Sequence, residues 1–84
     1  MNYRIDYTST ALDHLDRIAH AERKRIIKKI DLLVENPFPP GCKSLKGFSG
    51  FHRIRVGDYR VIYTVQRTII TVTIAAVGHR GDIY

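Results

Sequence analysis

The sequence predicts an α+β domain of order β-α-α-β-β-β, with a two-helix hairpin packed on one face of a mostly antiparallel four-stranded sheet. Three observations carry this expectation. Apolar residues recur at helical spacing between residues 11 and 34. Three alternating runs after residue 50 have the period of strands. Between the two regimes lie all three prolines, Pro37, Pro39 and Pro40, which stop a helix firmly.

In chain order, Tyr3–Tyr7 alternates and reads as a first strand. Thr8, Ser9 and Thr10 then offer N-caps, with Asp13 in capping-box position relative to Thr10. Ala11, Leu12, Leu15, Ile18 and Ala19 predict a first helix of about ten residues. His20 and Ala21 form a tight connection to a second helix over 22–35, whose stripe is Ile26, Ile27, Ile30, Leu33 and Val34. Its other side, with Lys24, Arg25, Lys28, Lys29 and Asp31, reads as a solvated face. A loop over Cys42–Gly50 leads to strands Phe51–Val56, Tyr59–Val65 and Thr68–Val77, then a tail from His79 to Tyr84.

The 84 residues suit a single domain, 1–84. Cys42 is the only cysteine, so there is no internal disulfide, and no Cys/His cluster has metal-ligand spacing. A free packing thiol is the expected role of Cys42. No apolar run approaches the length that crosses a bilayer, and no signal-peptide core follows Met1. Secreted disulfide scaffolds, metal fingers and membrane proteins are excluded, leaving a basic cytoplasmic domain without cofactor or metal. Its net charge of +6 is uneven: residues 1–40 contribute +1 and residues 41–84 contribute +5. One-sided charge of this kind points to a polyanion as partner, most simply nucleic acid.

The pair Gly57-Asp58 separates two alternating runs by the length of a tight hairpin turn. That register sets Val56 against Tyr59, Arg55 against Arg60, Ile54 against Val61 and Arg53 against Ile62. One face then carries His52, Ile54, Val56, Tyr59, Val61 and Tyr63, the surface for the helices. The other carries Phe51, Arg53, Arg55, Arg60, Ile62 and Thr64. Pairing Val65 with Thr68 extends the scheme, setting Tyr63 against Ile70, Val61 against Val72, Tyr59 against Ile74, and Thr71 and Thr73 against Ile62 and Arg60. Two directly opposed arginines are destabilising, so three on one face read as an anion site. The alternative is solvent-facing arginines whose stems cover Phe51 and Ile62.

RNA cleavage needs a deprotonated 2′-hydroxyl, stabilised phosphate charge and a protonated leaving oxygen. Arginine supplies the second through bidentate bonds but stays protonated. A tyrosine beside several arginines has its phenolate favoured, which gives Tyr84 a general-base role. His79 is the other proton carrier by intrinsic pKa. Lys43 and Lys46, with His79, are further candidates for RNA or ribosome contact. His52 falls on the apolar face, which argues against a catalytic role.

The segment Leu45-Lys46-Gly47, the block His52–Tyr63 and the ending Val77-Gly78-His79-Arg80-Gly81-Asp82-Ile83-Tyr84 resemble the RelE/ParE superfamily of bacterial and archaeal toxins. The likeness spans nearly the whole chain and is nearer the RelE side. It implies a toxin of a toxin–antitoxin system, a metal-independent endoribonuclease that cleaves mRNA in the ribosomal A site by 2′-hydroxyl attack. It also implies phosphate stabilisation by Arg60 and Arg80, positioning or proton shuttling by Arg53 and Arg55, a general-base Tyr84, and a RelB-like antitoxin as partner. Where RelE-like enzymes often have lysines on the second strand, this chain has Arg53 and Arg55. The competing reading is a ParE-type, non-catalytic toxin that inhibits DNA gyrase. A third is a basic RNA-binding module without chemistry.

Overall fold

The computed structural model describes residues 2–79. Strand β1 (Arg4–Tyr7) is followed by helices α1 (Ser9–Asp16) and α2 (His20–Asp31), the latter running into a 3-10 turn, Leu32–Val34. Strands β2 (Lys43–Ser44), β3 (Phe51–Val56), β4 (Tyr59–Gln66) and β5 (Thr71–His79) complete a sheet of order β1-β5-β4-β3-β2. The pairing of β1 with β5 is parallel and the rest are antiparallel. The sheet is thus five-stranded and mixed, where four strands were expected. The extra strand is two residues long and lies inside the expected loop, too short for any alternation to register in the sequence.

Helix α1 starts earlier than its capping-box signal. Thr8, in extended conformation, is the N-cap and accepts from Ala11 N–H at 3.0 Å, while its own hydroxyl donates to Ala75 O at 3.0 Å. One side chain therefore caps a helix and fastens it to the sheet. His14 adds a second tie, its Nδ1 accepting from Val77 N–H at 3.1 Å. Helix α2 begins at His20 and Ala21, which form its first turn, and the connection is Arg17–Ala19. Ala19 is exposed, outside the apolar stripe expected for it.

Both helices cover one sheet face. The core joins Ala11, Leu15, Ile18, Ile26, Ile30 and Leu33 to Ile54, Val61, Tyr63, Val72, Ile74 and Val77. Burying a side chain of this kind contributes about 1.5–3 kcal/mol. Tyr63 is fully buried and donates to Pro37 O at 2.7 Å. Its single proton is thereby used, so Cys42, 3.0 Å away, is the donor to the phenol oxygen. The proline segment is fixed to the sheet by these two bonds, and Cys42 packs as expected. Burial first, then the Cys42 thiol, pushes the Tyr63 phenol far above its ordinary range.

The β3–β4 hairpin has the expected register, from Val56 opposite Tyr59 to Phe51 opposite Thr64. Gly57 turns it with φ +60°. The β4–β5 register departs from expectation. Val65 pairs with Val72, not Thr68; Tyr63 with Ile74, not Ile70; and Val61 with Val77, not Val72. Tyr59 faces His79, not Ile74, while Thr73 faces Thr64 and Thr71 faces Gln66. Two local features cause the shift. The connection is lengthened to residues 67–70, with Ile70 in the left-handed region at φ 49°. A bulge then interrupts the ladder between Ile62 and Tyr63, leaving Ala75 as the extra residue of β5.

Candidate functional site

Cross-strand partners share a sheet face, so the register fixes what the helix-free face displays. Its first rung is Arg55, Arg60 and Gly78, beside the hairpin turn. The second is Lys43, Arg53, Ile62 and Ala76. The third is Phe51, Thr64, Thr73 and Asp6. The last is Gln66, Thr71 and Arg4. The face is cationic at the hairpin end and hydroxyl- and amide-rich at the other.

Arg53, Arg55 and Arg60 stand together, as the sequence predicts, and Lys43 joins them through its pairing with Arg53. Arg55 is exposed, whereas Arg53 and Arg60 are half-buried around Ile62, which is only 5% exposed. These two arginines flank the covered isoleucine, and Arg60 Nε is itself buried, which fits stems lying over apolar surface. Ion pairs among the described residues are Arg4–Asp6, Arg23–Asp16 and Arg25–Glu22, so neither Arg53 nor Arg55 has an acidic partner there. A shallow depression lined by Arg55, Gly57, Asp58, Tyr59 and Arg60 marks the hairpin end. Guanidinium groups so arranged can hold a phosphate through paired hydrogen bonds. Among the described residues, no group of three or more His, Cys, Asp or Glu could hold a metal ion.

The other expected residues are placed differently. Lys46 is exposed in the turn between β2 and β3. His79 pairs with Tyr59, and its ring lies edge-on to that tyrosine at 5.3 Å. It therefore sits on the helix-bearing side, with the sheet between it and Arg53, Arg55 and Arg60. His52, as expected, is on the apolar face, its ring 5.7 Å from that of Tyr63. A larger cleft of about 360 Å³, between α1 and β5 on that side, is lined by His14, Arg17, Tyr59 and His79 among others. Arg80 and Tyr84 lie outside the described residues. The amide and hydroxyl rungs around Gln66 are absent from the sequence reading, because the expected register placed Thr73 against Arg60.

A small α+β domain with helices on one side of its sheet and clustered cations on the other is defined by these features. Its relatives give that class a family. Residues 5–84 match the model of the ParE toxin of type II toxin–antitoxin systems, and the chain belongs to this family, within the RelE/ParE superfamily. A RelE-like toxin protein of Escherichia coli is 27% identical over 88 residues, covering 100% of this chain and 92% of that protein. The archaeal RelE–RelB complex from Pyrococcus horikoshii contains a chain with 29% identity and a TM-score of 0.83, covering 98% of this chain and 99% of that one. The RelBE2 toxin–antitoxin complex of Mycobacterium tuberculosis contains one with 26% identity and a TM-score of 0.85, covering 95% and 100%. No helix among the described residues is long and apolar enough to cross a membrane.

Proposed function

We propose that the protein is a ribosome-dependent mRNA endonuclease that inhibits translation in the cytoplasm, and that a RelB-like antitoxin holds it inactive. The supporting observation is the helix-free face on which Arg53, Arg55, Arg60 and Lys43 converge, with no acid paired to Arg53 or Arg55 among the described residues. In this reading the 2′-oxygen of one nucleotide attacks the adjacent phosphorus, the P–O5′ bond breaks, and a 2′,3′-cyclic phosphate remains. Arg60 and Arg80 stabilise the charge that builds on the phosphate oxygens. Arg53 and Arg55 position the phosphate; being always protonated, they are unsuited to deliver the proton to the leaving oxygen. Tyr84 removes the 2′-hydroxyl proton, and the departing 5′-oxygen takes its proton from water. Lys43 and Lys46 contact the RNA and ribosome backbone. The antitoxin partner is supported by relatives solved as RelE–RelB complexes.

The test is translation in a purified system with wild-type, Arg60→Ala and Tyr84→Phe proteins, mapping breaks in the message. Breaks in A-site codons that both substitutions suppress support the reading; intact message overturns it. A second reading, inhibition of DNA gyrase without catalysis, is favoured by the match to the ParE family model. It predicts loss of supercoiling activity and no dependence on Arg80 or Tyr84.

A further inference from the structure

The cleavage reading uses the cationic rungs of the helix-free face and leaves the other two without a role. There Gln66 Nε2 donates to Thr64 Oγ1 at 2.7 Å, and Thr73 Oγ1 donates to Gln66 Oε1 at 3.2 Å. A primary amide has two N–H donors and two acceptor lone pairs. Each end of the Gln66 amide therefore has one valence taken and one remaining. The two threonine struts hold the amide plane in one orientation. The neighbouring charge is already neutralised: Arg4 Nε and NH2 donate to the two carboxylate oxygens of Asp6 at 3.1 and 2.9 Å. Thr71, directly opposite Gln66, spends its hydroxyl on Ile69 O and does not compete for the amide.

An aromatic residue shares this face with the amide. Phe51 is the direct partner of Thr64, so it lies one diagonal step from Gln66, about 7–8 Å between equivalent atoms. A fixed donor–acceptor pair beside an aromatic face is the chemistry that reads a splayed nucleobase: the ring stacks, and the amide bonds the base edge. Adenine presents a donor and an acceptor side by side, and a glutamine amide matches both at once.

We infer that Gln66 and Phe51 form a base-recognition subsite for adenine on the same RNA strand that the arginines hold. This rests on the cleavage reading and adds sequence preference to it. Arg60 and Gln66 are six residues apart on β4, about 20 Å at the rise of a strand, a span of about three extended nucleotides. The arginines set where the backbone is cut, and Gln66 sets which message is cut there.

The experiment is cleavage of a randomised message library on programmed ribosomes, with sequencing of the product ends, for wild type, Gln66→Ala, Gln66→Glu and Phe51→Leu. Wild type is expected to favour adenine about three nucleotides from the cut by at least about fivefold. Gln66→Ala removes that bias. Gln66→Glu, which can only accept, transfers it towards cytosine, whose exocyclic amine donates. Phe51→Leu weakens it for lack of a stacking surface. The readout is a ratio between bases, which a smaller folded fraction leaves unmoved. Cleavage by wild type without that bias, or a bias that Gln66→Ala and Gln66→Glu both leave intact, overturns the subsite while the nuclease stands. Failure of wild type to cleave at all overturns both.

Discussion

Arg55 and Arg60 are direct cross-strand partners in the β3–β4 hairpin. Like charges so placed repel and cost about 0.2–1 kcal/mol relative to a neutral pair. The arrangement is thus a local conflict between folding and the use of the face. Arg55→Thr is expected to raise the unfolding free energy by about 0.5 kcal/mol and to lower message cleavage. Urea denaturation and the translation assay measure the two effects, and both are expected from the one substitution. The stability gain should shrink with added salt, because Arg55 is exposed and its charge is screened.

Tyr63 links the sheet to the proline segment through Pro37 O and Cys42 Sγ. Tyr63→Phe leaves a buried carbonyl unsatisfied and is expected to cost about 1–3 kcal/mol in denaturant melts at neutral pH. The folded phenol has a raised pKa, so its protonated form is the stabilised one. Its contribution is complete below the unfolded value, about 10. Above that, the unfolded state releases the proton and the folded state does not, so stability falls as pH rises. The gap between wild type and Tyr63→Phe should therefore narrow above about pH 10.

Thr8 makes two bonds with one hydroxyl, accepting from Ala11 N–H and donating to Ala75 O. Thr8→Ala is expected to cost about 1–2 kcal/mol, and Thr8→Ser to restore most of it. A shift in the urea midpoint with unchanged slope is the expected signature. An equal loss in the serine variant would assign the effect to the methyl group instead.

Ile70 is the only non-glycine residue with positive φ among those described. A β-branched side chain there costs about 1–2 kcal/mol. Its backbone carbonyl accepts from Arg4 N–H, an interaction any residue retains. Ile70→Asn is expected to stabilise the fold by about 0.5–1 kcal/mol, since asparagine tolerates this conformation. Thermal and urea melts of the variant test it.

The legible and illegible parts of the chain differ in what holds them. The β3–β4 hairpin could be read because alternation and a two-residue glycine turn specify the same register. That register alone brought Arg53, Arg55 and Arg60 together. The β4–β5 pairing could not, because its turn depends on an isoleucine in a conformation that sequence preference argues against. The bulge at Ala75 compounds this, since alanine carries no signal for an extra residue. The amide network inherited the error: its threonines were visible, but their partners were not. Strand β2 is held by tertiary pairing alone, so Lys43 had no pattern to reveal that it stands beside Arg53. His79 shows the limit of proximity in sequence, since a single residue's step in a strand decides which side of the sheet it serves.

The position of β5 between β1 and β4 bears on when the domain can exist. This interior strand is translated after both of its neighbours. A nascent chain that has reached only Gln66 holds a hairpin and an N-terminal strand with nothing to join them. The helices lack half of their packing surface, because Val72, Ile74 and Val77 are still to come. Vectorial synthesis thus acts as a timer, and the packed domain is a late product of its own translation.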